Sequence, residues 1–214
     1  MTENRGNTLA GETKTRWDRL AKHYGLVESL SEWYLEPFRK TLWARAEGRI
    51  LEAGAGTGLN ISCYPAGARV TATDLSGAML QKARKRAQEQ KKEIAFEVAD
   101  LCSLPFADGA FDTAVATFVF CSMPDPIACL GEMGRVTKRG GRILLLDHVR
   151  IERPLIGPLM DWLNTATVRL AGEHINHRMD AFARAAGLEI VESRRLGFMG
   201  FIQFIVARPS QDRS

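Results

Sequence analysis

The chain has 214 residues, 45% of them hydrophobic and 25% charged, with four cysteines and a formal net charge of +4. That composition suits one soluble α/β-sized domain with a full core, and no apolar run approaches the roughly 20 residues that span a bilayer. The opening from Met1 to Arg16 is too polar for a secretory leader, so a cytosolic protein is expected, one whose modest basic excess suits long-range attraction to an anionic lipid surface or to nucleic acid without singling out either.

Residues 1–15 carry no apolar stripe and are expected to form a flexible tail ahead of one domain over 16–208. From Trp17 to Ala46, apolar and aromatic residues including Leu20, Tyr24, Trp33, Tyr34, Phe38 and Trp43 recur at spacings that predict two or three short helices. Short apolar runs bounded by turn residues then predict strands at Arg49 to Glu52, Arg69 to Asp74, Ile94 to Val98, Thr113 to Phe118 and Arg142 to Asp147. Helical patterns lie between them. Ser76 is an expected N-cap for a helix with Met79, Leu80, Ala83 and Ala87 inward, while Asp125-Pro126 opens a second that buries Ile127, Leu130 and Met133 and stops near Lys138 to Gly141. Strands alternating with helices imply a parallel sheet with right-handed crossovers.

After Ile151 the pattern changes. Pro154 and Pro158 interrupt helical turns that run to Gly172, Met179 to Ala186 reads as a helix closed by Gly187, and Leu188 to Leu196 and Phe198 to Ala207 are extended runs parted by Gly197 alone. So short a connection makes the pair antiparallel. The basic stretch Lys82 to Lys92 reads as a solvated helix face, with no aromatic-rich motif beside it to suggest nucleic acid. Cys63, Cys102, Cys121 and Cys129 show no C-x-x-C spacing, so reduced thiols are expected, with neither zinc site nor disulfide framework.

The densest chemical signal is Glu52-Ala-Gly-Ala-Gly-Thr-Gly58, directly after the first strand. Gly54, Gly56 and Gly58 let a strand-to-helix turn adopt positive φ and approach a ligand closely, with Ala55 between them. Asp74, about twenty residues past the first glycine, can accept hydrogen bonds from ribose hydroxyls. The third glycine comes one residue too early for the dinucleotide pattern, and the acid at Glu52 suits a ligand with a cationic amino-acid end better than a pyrophosphate. Asp100 at the third strand end could take an exocyclic amine while Leu75, Met79 and Leu101 contact the faces of a base. Phe118 closes the fourth strand over the same crevice.

The run Glu52 to Gly58, with Asp74-Leu-Ser, Ala99-Asp-Leu, Leu104 to Asp112 and Arg139-Gly-Gly-Arg-Ile-Leu144, resembles the class I S-adenosylmethionine-dependent methyltransferases, in their small type-11 group. The resemblance covers Trp17 to Ala207 and implies a Rossmann-like, seven-stranded, mostly parallel sheet with a C-terminal antiparallel hairpin and an N-terminal helical lid over 16–47. It also implies S-adenosylmethionine as cofactor, with the glycine turn at its methionine part, Asp74 at the ribose and Asp100-Leu101 at the adenine. Arg16 to Tyr24 and Leu196 to Phe201 are similar to bacterial phosphatidylethanolamine N-methyltransferases, whereas Val119 to Asp125 and Asp147-His-Val149 are similar to a thiol methyltransferase branch. The pattern departs at Gly25, where an Asp is usual, and at Arg139, which stands for a proline.

Methyl transfer from a sulfonium is an in-line displacement governed by positioning. His148, just past the fifth strand, is the candidate for a base or for positioning the acceptor, and Tyr24 for closing over the cofactor or shaping the acceptor pocket; each has a packing role as its alternative. The acceptor-side insertion is placed at 151–178. His174 and His177 within it lack the further ligands a metal needs, and Cys121 reads as a small residue at a strand end rather than a nucleophile. The expected reaction is methylation of a small or lipid-like nucleophile, foremost the amine of a phosphatidylethanolamine headgroup, with peripheral contact to an anionic membrane. S-methylation of a lipophilic thiol and C-methylation of a quinone precursor are the alternatives within that class; a nucleotide-dependent oxidoreductase or a non-catalytic cofactor-binding module are those outside it.

Overall fold

The computed structural model describes residues 15, 24–154, 156–158, 160–162, 164 and 178–210, with residues 24–31 as backbone. Residues 1–14 of the expected tail and the pair His174 and His177 lie outside the described residues. Seven strands, β1 (Arg49–Ala53), β2 (Arg69–Asp74), β3 (Ala95–Val98), β4 (Phe111–Thr117), β5 (Thr137–His148), β6 (Leu188–Leu196) and β7 (Ile202–Pro209), form one sheet in the order β3-β2-β1-β4-β5-β7-β6. β1 to β5 pair in parallel, and β7 is antiparallel to both of its neighbours. Strand order reverses between β1 and β4, so the loops that follow these two strands part and leave a crevice at their carboxyl ends.

Helices α1 (Tyr24–Trp43), α2 (Gly77–Glu89), α3 (Pro126–Val136) and α4 (Met179–Ala185) cover the sheet. Successive central residues point to opposite faces, and both faces are buried, as a parallel sheet requires. Leu51, Ala114, Leu145 and Ile205 pack with Leu130 and Met133 of α3 and Met179 and Ala183 of α4. Ile50, Val115, Leu144 and Phe204 pack on the other side with Leu42 and Trp43 of α1 and Ala83 and Ala87 of α2. The expected caps form: Ser76 Oγ accepts from Met79 N–H at 3.2 Å, and Asp125 accepts from Ala128 N–H at 3.0 Å.

Several details differ from expectation. α1 is one helix of 20 residues that carries Pro37 in its interior. Pro37 lies on the exposed side, while Arg39, Leu42 and Trp43 dock inward and hold the helix on the sheet. Ile127 is exposed, and Cys129 takes the inward position beside Leu130. Lys138 to Gly141 belongs to β5 rather than to a turn, with pairing that shifts register between Phe111 and Thr113. The hairpin connection is longer than one glycine: a 3-10 turn over Phe198–Gly200 separates β6 from β7. Cys102 and Cys129 are joined by a disulfide across 27 positions, a tertiary contact invisible in cysteine spacing, while Cys63 and Cys121 are free thiols.

Candidate active site

The crevice is built from the chain just after β1. Gly54 has φ 71°, and a Cβ there would lie 2.5 Å from Val119, so the turn can pack only as glycine. Gly56, with φ 56°, has nothing within 4 Å of the place a Cβ would occupy, which leaves its backbone open to a ligand. Its N–H donates to Asp74 Oδ2 at 2.8 Å, and Ser76 N–H donates to Asp74 Oδ1 at 2.8 Å. Asp74 thus stands beside the open glycine, half-buried, with its carboxylate at the mouth of the turn. Ala55 N–H donates to Thr73 O at 2.8 Å, so the loop is also tied to β2 by backbone.

Glu52 does not face the crevice openly. It is 1% exposed. Its Oε1 accepts from Asn60 Nδ2 at 2.5 Å, and Oε2 accepts a short hydrogen bond from the Tyr64 hydroxyl. Burial pushes the Glu52 carboxyl above its ordinary range, and burial with the Glu52 charge pushes the Tyr64 phenol well up, so the phenol keeps its proton and donates. Asn60 also donates to Thr117 Oγ1 at 2.7 Å, and Arg39 Nη1 donates to Asn60 Oδ1 and Thr117 Oγ1, both at 2.9 Å. The acid expected to meet a cationic ligand is therefore the floor of a buried network that fixes the loop from beneath.

On the β3 side, Asp100 Oδ1 accepts from Cys102 N–H at 2.9 Å, which folds the strand end back on itself. Asp100 and Leu75 are half-buried, whereas Leu101 and Met79 are 6% and 2% exposed and form the base beneath them. The Cys102–Cys129 bond ties this loop to α3.

The ends of β4 and β5 meet the hairpin connection beside the crevice. Phe118 adopts φ 55°, which a non-glycine residue rarely does, and its N–H donates to Leu146 O at 2.7 Å. Asp147, 1% exposed, accepts from Phe120 N–H and from His148 N–H, each at 2.8 Å, and so locks the two strand ends together. The His148 ring lies between Phe118, with centroids 4.6 Å apart, and Phe201, stacked at 4.8 Å. The Arg39 guanidinium caps the Phe118 ring at 4.8 Å. Burial, with the Arg39 charge, lowers the His148 pKa to about 4, so its imidazole is neutral at physiological pH. Its Nδ1 is buried and has no hydrogen-bond partner among the described residues.

Tyr34 binds the other flank of the hairpin connection, its hydroxyl accepting from Phe198 N–H at 2.7 Å. Trp33, edge-on to Tyr34 at 6.1 Å, and Phe198 stand 76% and 74% exposed beside it. Tyr24 opens α1, but its side chain lies outside the described residues. Arg39, Asn60, Thr117 and Phe201 were missed in the sequence. Arg39 sits at helical spacing with Leu35 and Leu42, so its inward direction was available from periodicity; nothing local marked the other three.

The open backbone at Gly56 beside Asp74 fits the glycosyl and amino-acid portions of a nucleoside ligand, and the half-buried ledge of Leu75 and Asp100 fits its base. Comparison with known proteins gives the family. Residues 51–145 match the family model described as a methyltransferase domain. The chain is 32% identical to a phosphatidylethanolamine N-methyltransferase of Cereibacter sphaeroides over 74% of its own length and 78% of the relative's. It is 30% identical to the ubiquinone/menaquinone biosynthesis C-methyltransferase of Bdellovibrio bacteriovorus over 65% of its length and 60% of that relative's. In fold it is similar to an S-adenosylmethionine-dependent methyltransferase of Thermotoga maritima, with a TM-score of 0.71 at 20% identity over 92% of this chain and 100% of that one.

Proposed function

The chain belongs to the S-adenosylmethionine-dependent methyltransferases, and we propose that its acceptor is a lipid-borne nucleophile, the amine of a phosphatidylethanolamine headgroup. Family membership sets aside the oxidoreductase and the non-catalytic module. In this reading Gly54 to Gly58 face the methionine portion of the donor, Asp74 the ribose, and Asp100, Leu101, Leu75 and Met79 the adenine. The donor supplies a methyl group already activated on a sulfonium, so the protein's task is alignment and exclusion of water.

The observation that carries the acceptor assignment is the neutral His148 held between Phe118 and Phe201. Aromatic faces favour an ammonium and its methylated products; Arg39 already covers Phe118, so Phe201 is the wall that such a group would meet, beside an imidazole that adds no charge of its own. The magnitude also decides what His148 does. Moving a proton from an ammonium with an ordinary pKa near 10 to an imidazole near 4 is uphill by about 8 kcal/mol. His148 therefore positions the acceptor as a hydrogen-bonding group, and the amine sheds its proton to solvent before attack. The exposed Trp33 and Phe198 suit contact with the acyl region of a lipid at an anionic surface. Among the described residues no helix is long and apolar enough to cross a membrane.

The relative named for quinone biosynthesis and the same aromatic walls support a second reading, C-methylation of a quinol ring. A transfer assay with labelled donor separates the two: vesicles of phosphatidylethanolamine, a lipophilic quinol and a lipophilic thiol are offered in parallel. Label in the phospholipid fraction supports the proposal, and label only in quinol or thiol overturns it.

A further inference from the structure

At the opposite end of the sheet from the crevice, a groove of about 660 Å³ lies between the starts of β1 and β2 and the end of α2. Arg49 and Arg69 line it and are register partners in the parallel pair. Their side chains leave the same face of the sheet on strands about 4.8 Å apart, an arrangement that repels unless a counter-charge lies between. Lys91 and Lys92 complete the rim, and Glu93 is the one carboxylate lining the groove. Among the described residues Arg69 and Lys91 form no ion pair. Arg69 and Lys91 thus face a concavity without a paired carboxylate, unlike Lys138 and Arg142, while Arg49 lies over the Phe111 ring at 5.8 Å and shares the Asp112 charge with Lys138.

The groove also touches the turn beneath the donor crevice. Tyr64 lines it and reaches Glu52 with its hydroxyl, and Lys92 Nζ donates to Ile61 O at 2.5 Å and Tyr64 O at 3.4 Å. We propose that this groove is a second binding site, for a soluble phosphate-bearing small molecule whose anionic group sits between Arg49 and Arg69 and is closed over by Lys91. The volume suits a small metabolite rather than a polymer. Occupancy would bear on the 59–64 turn and, through Tyr64 and Asn60, on Glu52 below the glycine loop.

The test is calorimetry of inorganic pyrophosphate binding to the full chain at low ionic strength, with Arg69→Glu and Lys91→Glu as variants. S-adenosylmethionine binding reports in parallel that each variant is folded. One site per chain, weakened tenfold or more by either substitution while donor affinity stays within twofold, supports the proposal. Equal binding by wild type and variants would overturn it in favour of diffuse charge attraction. Displacement of pyrophosphate by competition with the donor would place it in the crevice and also overturn it. So would binding to phosphatidic acid vesicles with none to pyrophosphate, which would make the basic face a membrane contact.

Discussion

Asp74 Oδ2 accepts the backbone N–H of Gly56 at 2.8 Å, so the acid at the end of β2 holds the one loop glycine that faces open space. Asp147 does the corresponding work at the ends of β4 and β5, where it ties Phe120 and His148 together. Each carboxylate organises a loop that its own strand does not carry. Asp74→Ala should weaken S-adenosylmethionine binding by about 1–3 kcal/mol, since a charged acceptor and its loop contact both go. Calorimetry checks this, with circular dichroism to confirm that the variant folds.

The proposed role of His148 at the acceptor requires that His148→Ala lower methyl transfer about tenfold or more while donor affinity stays nearly constant. The rate of the wild type should rise with pH toward the pKa of the amine and show no break near 6.5. A titration with that midpoint would mean that His148 protonates in the folded enzyme, against its buried setting.

The same histidine links stability to acidity. Its folded pKa of about 4 lies below the ordinary 6.5, so the unfolded chain takes up a proton first as pH falls. Stability is full above pH 6.5 and declines between 6.5 and 4, by up to about 3 kcal/mol from this group. Urea midpoints across that interval should fall for the wild type and fall less steeply for His148→Gln.

Arg39→Met should destabilise the protein by about 2–4 kcal/mol, because it strips two buried hydrogen bonds from Asn60 and Thr117 and the ion-pair partner of Glu32. It should also move the His148 pKa upward, since the Arg39 charge is part of what lowers it. Nuclear magnetic resonance of the imidazole protons separates that effect from general loss of stability.

Thiol titration of the denatured, unreduced protein should find two reactive cysteines, Cys63 and Cys121, and four after reduction. Reduction should cost about 3 kcal/mol of stability, the range expected for a crosslink closing a loop of this length.

Much of this was legible in the sequence because the signals are local. Gly54 to Gly58 with Asp74 marked the crevice, Ser76 and Asp125 marked helix starts, and five short apolar runs with two extended ones marked the seven strands. What escaped depends on contacts between distant segments. Arg39 and Thr117 are 78 positions apart, and only the docking of α1 on β4 brings them together. Phe201 reaches His148 because the hairpin connection is a turn of several residues rather than a single glycine, a length set by the strained backbone of Met199 and by Tyr34 holding Phe198. Pro37 carried no such signal either way: on the exposed side of a helix anchored by Leu42 and Trp43, it does not end the helix.

The central claim is methyl transfer to a lipid amine, and mass spectrometry of the lipid product tests it most directly. The purified chain, incubated with methyl-deuterated S-adenosylmethionine and vesicles containing phosphatidylethanolamine, should yield the deuterated N-methyl phospholipid, with the label lost in His148→Ala. Phosphatidylethanolamine left unlabelled by a chain that binds the donor and methylates a quinol in the same vesicles would contradict it.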